Sequence, residues 1–227
     1  MLSAIIVAAG TSRRMGFDKL FAPLAGRPVL AHTLRAFEQA NCVDEIILVA
    51  QAERVPEFRE FVRSERASKV RQIVVGGEHR QDSVRSGLDA VAAAATYVAV
   101  HDAARPLITC EQIAQVFTLA VEHGAASLAQ PITDTLKRAD EKHFVANGVD
   151  RAGLYAMQTP QIFFRDLLIE AYRAVMADKI SVTDEVSAVQ HLGKKVLLLP
   201  NEQFNPKITF ASDLHLAEAF LNHQPTR

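Results

Sequence analysis

The residues able to do chemistry gather in short polar blocks that follow apolar runs. The first is Ala8-Ala9-Gly10-Thr11-Ser12-Arg13-Arg14-Met15-Gly16-Phe17-Asp18-Lys19. Its small residues let the backbone approach a ligand closely and offer N–H groups to anionic oxygens. Two arginines and a lysine supply the charge that phosphate requires, arginine as a bidentate fork and lysine as a compact point charge. Neither G-x-x-x-x-G-K-S/T nor G-x-G-x-x-G occurs here, which disfavours a P-loop and a dinucleotide fold. A solvated basic turn is the plain alternative, because charged residues mostly lie at the surface.

Further blocks carry the same kind of chemistry. Gly76-Gly77-Glu78-His79-Arg80-Gln81-Asp82-Ser83 follows an apolar run and opens a helical pattern. Its glycines permit a tight turn, and a helix N-terminus attracts anions. Asp82 and Ser83 also suit plain capping of that helix. His101-Asp102-Ala103-Ala104-Arg105-Pro106 sets Asp102 and Arg105 three apart on a turn. That spacing serves either a ligand or a structural ion pair, the latter worth little where exposed. Thr183-Asp184-Glu185 reads as an N-cap with acids in the first turn. Lys207, after Pro206, and Arg151, in a polar stretch, are surface cations on their own showing. No Ser-His-Asp set or catalytic carboxylate pair stands out, and the eight histidines show no metal spacing. His79 and His101 read as loop-edge or hydrogen-bonding residues.

Strand–helix alternation must position these blocks. Short apolar runs at residues 4–8, 45–50, 70–75, 97–101, 126–130 and 196–199 read as buried strands. Helical patterns fall near 28–40, 53–66, 80–94, 110–123, 164–177, 184–192 and 212–222. Such alternation predicts crossovers and a mostly parallel sheet, with ligands bound beyond the carboxyl ends of the strands. Residues 131–158 break the pattern. They are polar and turn-rich, with Asn147-Gly148 as a turn signal, and read as a β-arm projecting from the sheet. A surface loop is the alternative.

The 227 residues suit one domain with its own core. A net charge of −1 disfavours a dedicated nucleic-acid binder, although the first 110 residues carry 14 basic and 12 acidic side chains. No apolar run reaches the ~18 residues of a membrane span, so no membrane partner is expected. The start, MLSAIIVAAG, lacks a basic n-region and does not read as a signal peptide. Cys42 and Cys110 provide neither a disulfide framework nor a metal spacing, and suit buried cytoplasmic thiols. A cytoplasmic enzyme is the expectation.

The first loop resembles the signature loop of nucleotidyltransferases that join a nucleoside triphosphate to a phosphorylated small molecule. Alone, its Arg14-Met15-Gly16-Phe17-Asp18-Lys19 stretch leans toward the molybdenum-cofactor branch. The later blocks, GGEHRQDS, HDAARP, Asp134-Thr135-Leu136-Lys137, Arg151 with Thr159-Pro160-Gln161, Thr183-Asp184-Glu185 and Asn205-Pro206-Lys207, change that. In order and spacing they resemble the 2-C-methyl-D-erythritol 4-phosphate cytidylyltransferase family from residue 4 to about 220. The chain departs from that pattern at Val7, Ser12, Asp18, Leu20, Phe204 and Pro206.

The resemblance implies a Rossmann-like three-layer α/β fold over residues 1–227, with the arm at 131–158 used for dimerisation. It implies cytidylyl transfer from CTP to methylerythritol phosphate, with release of pyrophosphate. Ala8, Ala9, Gly10, Gly77, Glu78, Arg80 and Ser83 would then bind nucleotide. Asp102, Arg105, Thr135 and Thr183 would bind the polyol phosphate, Asp102 also serving as a ligand of Mg²⁺ or another divalent cation. Arg14 and Lys19 would stabilise the transition state, while Lys207 and a partner subunit's Arg151 aim the attacking phosphate. The partner would be a second copy of the chain, its arm completing the site. A ribitol 5-phosphate cytidylyltransferase, a molybdenum-cofactor nucleotidyltransferase and a non-catalytic nucleotide-binding regulator are the competing readings.

Overall fold

The structure, a computed structural model, describes residues 1–10 and 16–223. Strand β1 (Leu2–Val7) is followed by the short ribbon β2 (Pro23–Leu24) and β3 (Arg27–Pro28), then helix α1 (Val29–Gln39). Strand β4 (Glu45–Ala50), helix α2 (Val55–Glu65), strand β5 (Val70–Val75) and helix α3 (Arg80–Asp89) continue the alternation. Strand β6 (Tyr97–Asp102), helix α4 (Cys110–His123) and strand β7 (Ala125–Pro131) lead to the excursion that holds β8 (Leu136–Ala139) and β9 (Val145–Val149). Strand β10 (Tyr155–Phe164), helices α5 (Arg165–Ala177) and α6 (Glu185–His191), strand β11 (Leu197–Pro200) and helix α7 (Ala211–His223) complete the order.

Seven strands form one sheet in the order β11-β7-β10-β6-β1-β4-β5. All neighbouring pairs are parallel except those of β10, which runs antiparallel to both β6 and β7. The strands are apolar at successive positions because each face packs against its own core. On β1, Leu2, Ala4 and Ile6 join Leu30, Phe37, Phe58 and Ile113, from helices α1, α2 and α4. Ile5, between them, joins Val84, Leu88, Leu168 and Val189, from helices α3, α5 and α6. On β4, Ile46 and Leu48 share the first core, and Ile47 and Val49 the second. The result is the three-layer α/β architecture with a mostly parallel sheet.

The excursion needs a corrected boundary. Residues 132–154 leave the sheet, and β8 and β9 pair as a separate antiparallel ribbon. Phe144 and Val145 at its tip are 70% and 68% exposed. Residues 155–158, expected in the arm, instead open β10, where Tyr155 and Ala156 pair with Pro131 and Gln130 of β7. This strand escaped the periodicity because Gln158, Thr159 and Gln161 are buried polar residues inside it.

Helix α3, which opens with Arg80, lies close against the sheet because Gly87 has no side chain. A Cβ there would meet Ile5 Cγ2 at 2.5 Å and Val49 Cγ2 at 3.1 Å. Overpacking of this kind costs about 1–3 kcal/mol. Gly87→Ala is expected to lower the thermal unfolding midpoint by several degrees, at about 2–4 °C per kcal/mol for a chain of this size. Differential scanning calorimetry checks it.

Candidate active site

A cleft of about 530 Å³ opens beyond the carboxyl ends of β1 and β6. Ala8, Ala9 and Gly10 form one wall as they leave β1, and Gly77, Glu78, Arg80 and Ser83 form another. The glycine turn is a packing requirement. A Cβ on Gly76 would meet Ala9 Cβ at 2.6 Å, and one on Gly77 would meet Asp82 Cβ at 2.3 Å. Ser83 Oγ accepts a hydrogen bond from Gly77 N at 3.2 Å and donates to His79 O at 3.2 Å. Asp82 accepts from His79 N at 3.2 Å, which is a capping role. Lys19 enters from the opposite side, its Nζ donating to Ile208 O at 2.9 Å. The extended segment that carries Lys207 is fixed by Ile208 N donating to Ala104 O at 2.8 Å.

Asp102, the last residue of β6, is the centre of charge. Its Oδ2 lies 2.8 Å from Lys207 Nζ and 3.8 Å from Arg105 Nε, and its Oδ1 lies 3.3 Å from Arg80 Nε. Burial alone would raise the Asp102 pKa. Lys207, Arg80 and Arg105 outweigh burial and hold the carboxyl well below the usual range, so it is ionised at neutral pH. Burial would likewise depress Arg80, but the charges of Glu185 and Asp102 raise it. Arg105 is anchored by Nη1 donating to Asn205 O at 2.8 Å and Nη2 donating to Met157 O at 3.3 Å.

His101 sits beneath Asp102 and is fully buried. Its Nε2 donates to Arg105 O at 3.3 Å, which leaves Nδ1 to accept from Thr159 Oγ1 at 3.0 Å. Thr159 Oγ1 in turn accepts from Asp102 N at 3.1 Å. This chain needs one neutral tautomer. Burial enforces it, pushing the imidazole from its ordinary 6.5 to about 3. His101 is thus a hydrogen-bonding residue that sets the backbone of Asp102, as its place in the HDAARP block suggested.

A second cavity of about 310 Å³ adjoins the first. Arg105, Gln158, Gln161 and Thr183 line it, and Arg80, Asp102 and Lys207 belong to both cavities. The sequence-derived site residues therefore divide clearly. Ala8, Ala9, Gly10, Lys19, Gly77, Glu78 and Ser83 line the first cavity, Arg105 and Thr183 the second, and Arg80, Asp102 and Lys207 the wall between them. Thr135 and Arg151 line neither. They lie on the excursion, where the Arg151 guanidinium donates to Thr133 O. Arg14 falls outside the described residues.

The cap of α6 is Asp184 rather than Thr183: its Oδ1 accepts from Ser187 N at 3.0 Å. Sequence reasoning also missed Glu185, which is buried and bonded to Arg80, because an acid in a first turn looks sufficiently explained by the helix dipole. Among the described residues, no group of three or more His, Cys, Asp or Glu side chains forms a metal cluster. No described helix is long and apolar enough to cross a membrane.

Two cation-lined cavities meet at one carboxylate beyond the carboxyl edge of a mostly parallel sheet, an α/β arrangement suited to anionic ligands. The family model "IspD: 2-C-methyl-D-erythritol 4-phosphate cytidylyltransferase" matches residues 2–223. A protein of that name from Bacillus mycoides is 40% identical over 226 residues, covering 99% of each chain. One from Dehalococcoides mccartyi is 42% identical over 221 residues, covering 97% of this chain and 96% of its own. The crystal structure of 4-diphosphocytidyl-2C-methyl-D-erythritol synthase from Anaerococcus prevotii superposes with a TM-score of 0.85 at 28% identity, covering 98% of this chain and 99% of its own. That of the Thermus thermophilus cytidylyltransferase does so at 0.80 and 31%, covering 96% and 98%. The chain belongs to the 2-C-methyl-D-erythritol 4-phosphate cytidylyltransferase family.

The buried imidazole has a measurable consequence. Between about 3 and 6.5 the unfolded chain binds a proton at His101 that the folded chain does not. The associated stability is complete above pH 6.5 and falls as pH drops toward 3; ionised Asp102 has the same sign, with its stability lost at lower pH. The thermal midpoint of the wild type is expected to fall more steeply below pH 6.5 than that of His101→Gln, as followed by circular dichroism against pH.

Proposed function

We propose that the chain transfers the cytidylyl group of CTP to 2-C-methyl-D-erythritol 4-phosphate. The products are 4-diphosphocytidyl-2-C-methyl-D-erythritol and pyrophosphate. The observation that carries this reading is the shared wall: a nucleotide-sized cleft and a smaller cavity meet at Arg80, Asp102 and Lys207. Two substrates seated on either side would bring their phosphates together at that wall.

An oxygen of the acceptor phosphate attacks the α-phosphorus of CTP. The new P–O bond forms as the bond from the α-phosphorus to the bridging oxygen of the leaving pyrophosphate breaks. The nucleophile is already ionised at neutral pH, so no protein base is required. His101 is unsuited to that role in any case, since both its ring nitrogens are engaged and it is fully buried. The obstacle is like charge. Catalysis then rests on positioning and on fixed positive groups aimed where negative charge grows. We assign the triphosphate to the amides after β1 and to Lys19, and cytidine to Gly77, Glu78 and Ser83. Arg14 joins Lys19 at the leaving group on the strength of the family resemblance. Arg105, Thr183 and Lys207 receive the acceptor.

The donor set fits a Mg²⁺ carried on substrate phosphates, because that ion takes hard oxygens and one or two carboxylates. Ionised Asp102, which lines both cavities, would hold it. Its contribution would be to neutralise phosphate oxygens. Asp102 keeps Lys207 at the wall meanwhile, and Lys207 passes from the carboxylate toward the incoming phosphate.

The chain is proposed as one nucleotidyltransferase domain that works as a homodimer. Thr135 and Arg151 line no cavity of their own chain, and apolar Phe144 and Val145 are exposed at the tip of the same arm. We assign these side chains to the acceptor end of a second copy's site. Lys207→Ala and Arg151→Ala variants, each inactive alone, are expected to regain activity when mixed, because a heterodimer then holds one intact site. No recovery on mixing, with exchange verified by native mass spectrometry, would count against shared sites.

Pyrophosphate release tests the reaction itself. Release is expected with CTP and methylerythritol phosphate; a selective requirement for ribitol 5-phosphate, or no release with either acceptor, would overturn the reading. Lys19→Ala is expected to lower kcat by ~10²–10³, the usual loss for one charge-stabilising group, with folding intact.

A further inference from the structure

We infer that Glu185 is a positioning residue that aims Arg80 at the wall between the two cavities. The inference rests on the two-substrate reading above. Glu185 opens α6 and is wholly buried. Its Oε1 accepts from Arg80 Nη1 at 2.7 Å and its Oε2 from Arg80 Nη2 at 3.0 Å. The paired geometry leaves Arg80 Nε to face Asp102 Oδ1 at 3.3 Å. Arg80 is thereby held between two carboxylates, one in the site and one behind it.

Glu185 is itself held at both its carboxylate and its backbone. Tyr172 of α5 donates its hydroxyl to Oε1 at 3.0 Å. Gln161 of β10 accepts from the backbone N of Glu185 and of Val186, each at 3.1 Å, and donates to Asp184 Oδ2 at 3.1 Å. The acceptor-side segment 183–187 is thus fastened to the sheet, and through Glu185 to the start of α3 on the nucleotide side.

A buried ion pair is a weak source of net stability, because desolvation offsets attraction. What this pair supplies is direction. Without a carboxylate at 185, the nearest anion for the Arg80 guanidinium is Asp102. Two nitrogens would then compete with Lys207 for that carboxylate, and both cavities would lose their common wall. Glu185 therefore keeps Arg80 from collapsing onto Asp102 and leaves Asp102 Oδ2 to Lys207. Since Arg80 lines both cavities, its misplacement weakens both substrates.

The test is steady-state kinetics of Glu185→Gln, which keeps size and removes charge, and of Glu185→Asp, which keeps charge and withdraws it. Each is assayed well below its unfolding midpoint. The KM for CTP and for the acceptor are both expected to rise by about 10–100-fold, by analogy with outer-shell partners that orient metal ligands, with kcat changing less. On an Arg80→Lys background, either substitution is expected to add little. Unchanged KM values in folded variants, or losses that add fully to that of Arg80→Lys, would overturn the inference. If Glu185→Gln fails to fold, the Glu185→Asp cycle decides alone. Calorimetric titration of CTP without acceptor separates this inference from the proposed reaction. A wild type that neither binds CTP nor releases pyrophosphate sinks both, whereas an active wild type with kinetically normal variants sinks only the role of Glu185.

Discussion

The cleft depends on one ionised carboxylate. Lys207, Arg80 and Arg105 converge on the end of β6, and without an anion among them they would repel one another out of the pocket. Asp102 holds them at 2.8, 3.3 and 3.8 Å. Its own position is set from below by the chain through Thr159 and neutral His101. The arrangement is a compromise between attraction and availability. Each cation is close enough to be placed, yet Lys207 and Arg80 still face cavities large enough for phosphorylated ligands.

The near-neutral total charge of the chain conceals this local concentration. The wall carries two cations and one anion, and Lys19 stands across the cleft. Glu185 balances Arg80 from behind, where it takes up none of the open side. Placing the compensating carboxylate in the core rather than in the cavity lets a site be attractive to anions without being unstable when it stands alone.

The strands were legible because their residues alternate between two apolar cores, so runs such as 45–50 are hydrophobic throughout. Most of the helices were legible because they show one apolar face. β10 was not, because the residues it brings to the site are polar and buried, and periodicity reads buried polar residues as solvent-facing. Most of the cleft was legible for a different reason: its blocks follow strands, and the carboxyl ends of parallel strands converge in space whatever their separation in sequence. Glu185 lies 105 residues from Arg80. No local signal distinguishes it from an ordinary first-turn acid, since its burial is created by α5 and β10. Thr135 and Arg151 are named only through the family resemblance, and nothing in their own chain's cavities calls for them.

The base of the arm is closed by the ladder itself, with Pro131 of β7 paired to Tyr155 of β10. Everything beyond that rung, residues 132–154, is a separate ribbon whose side chains contribute nothing to either core. The fold is therefore indifferent to damage there, while a neighbour that relies on the ribbon is not. Under the shared-site arrangement, a copy with a ruined arm would fold, persist and be incorporated, and would silence the sound subunit it joins. Lesions in the ribbon would thus silence the neighbour's site and spare their own, which the sound arm still completes, whereas lesions in the cores would simply be cleared.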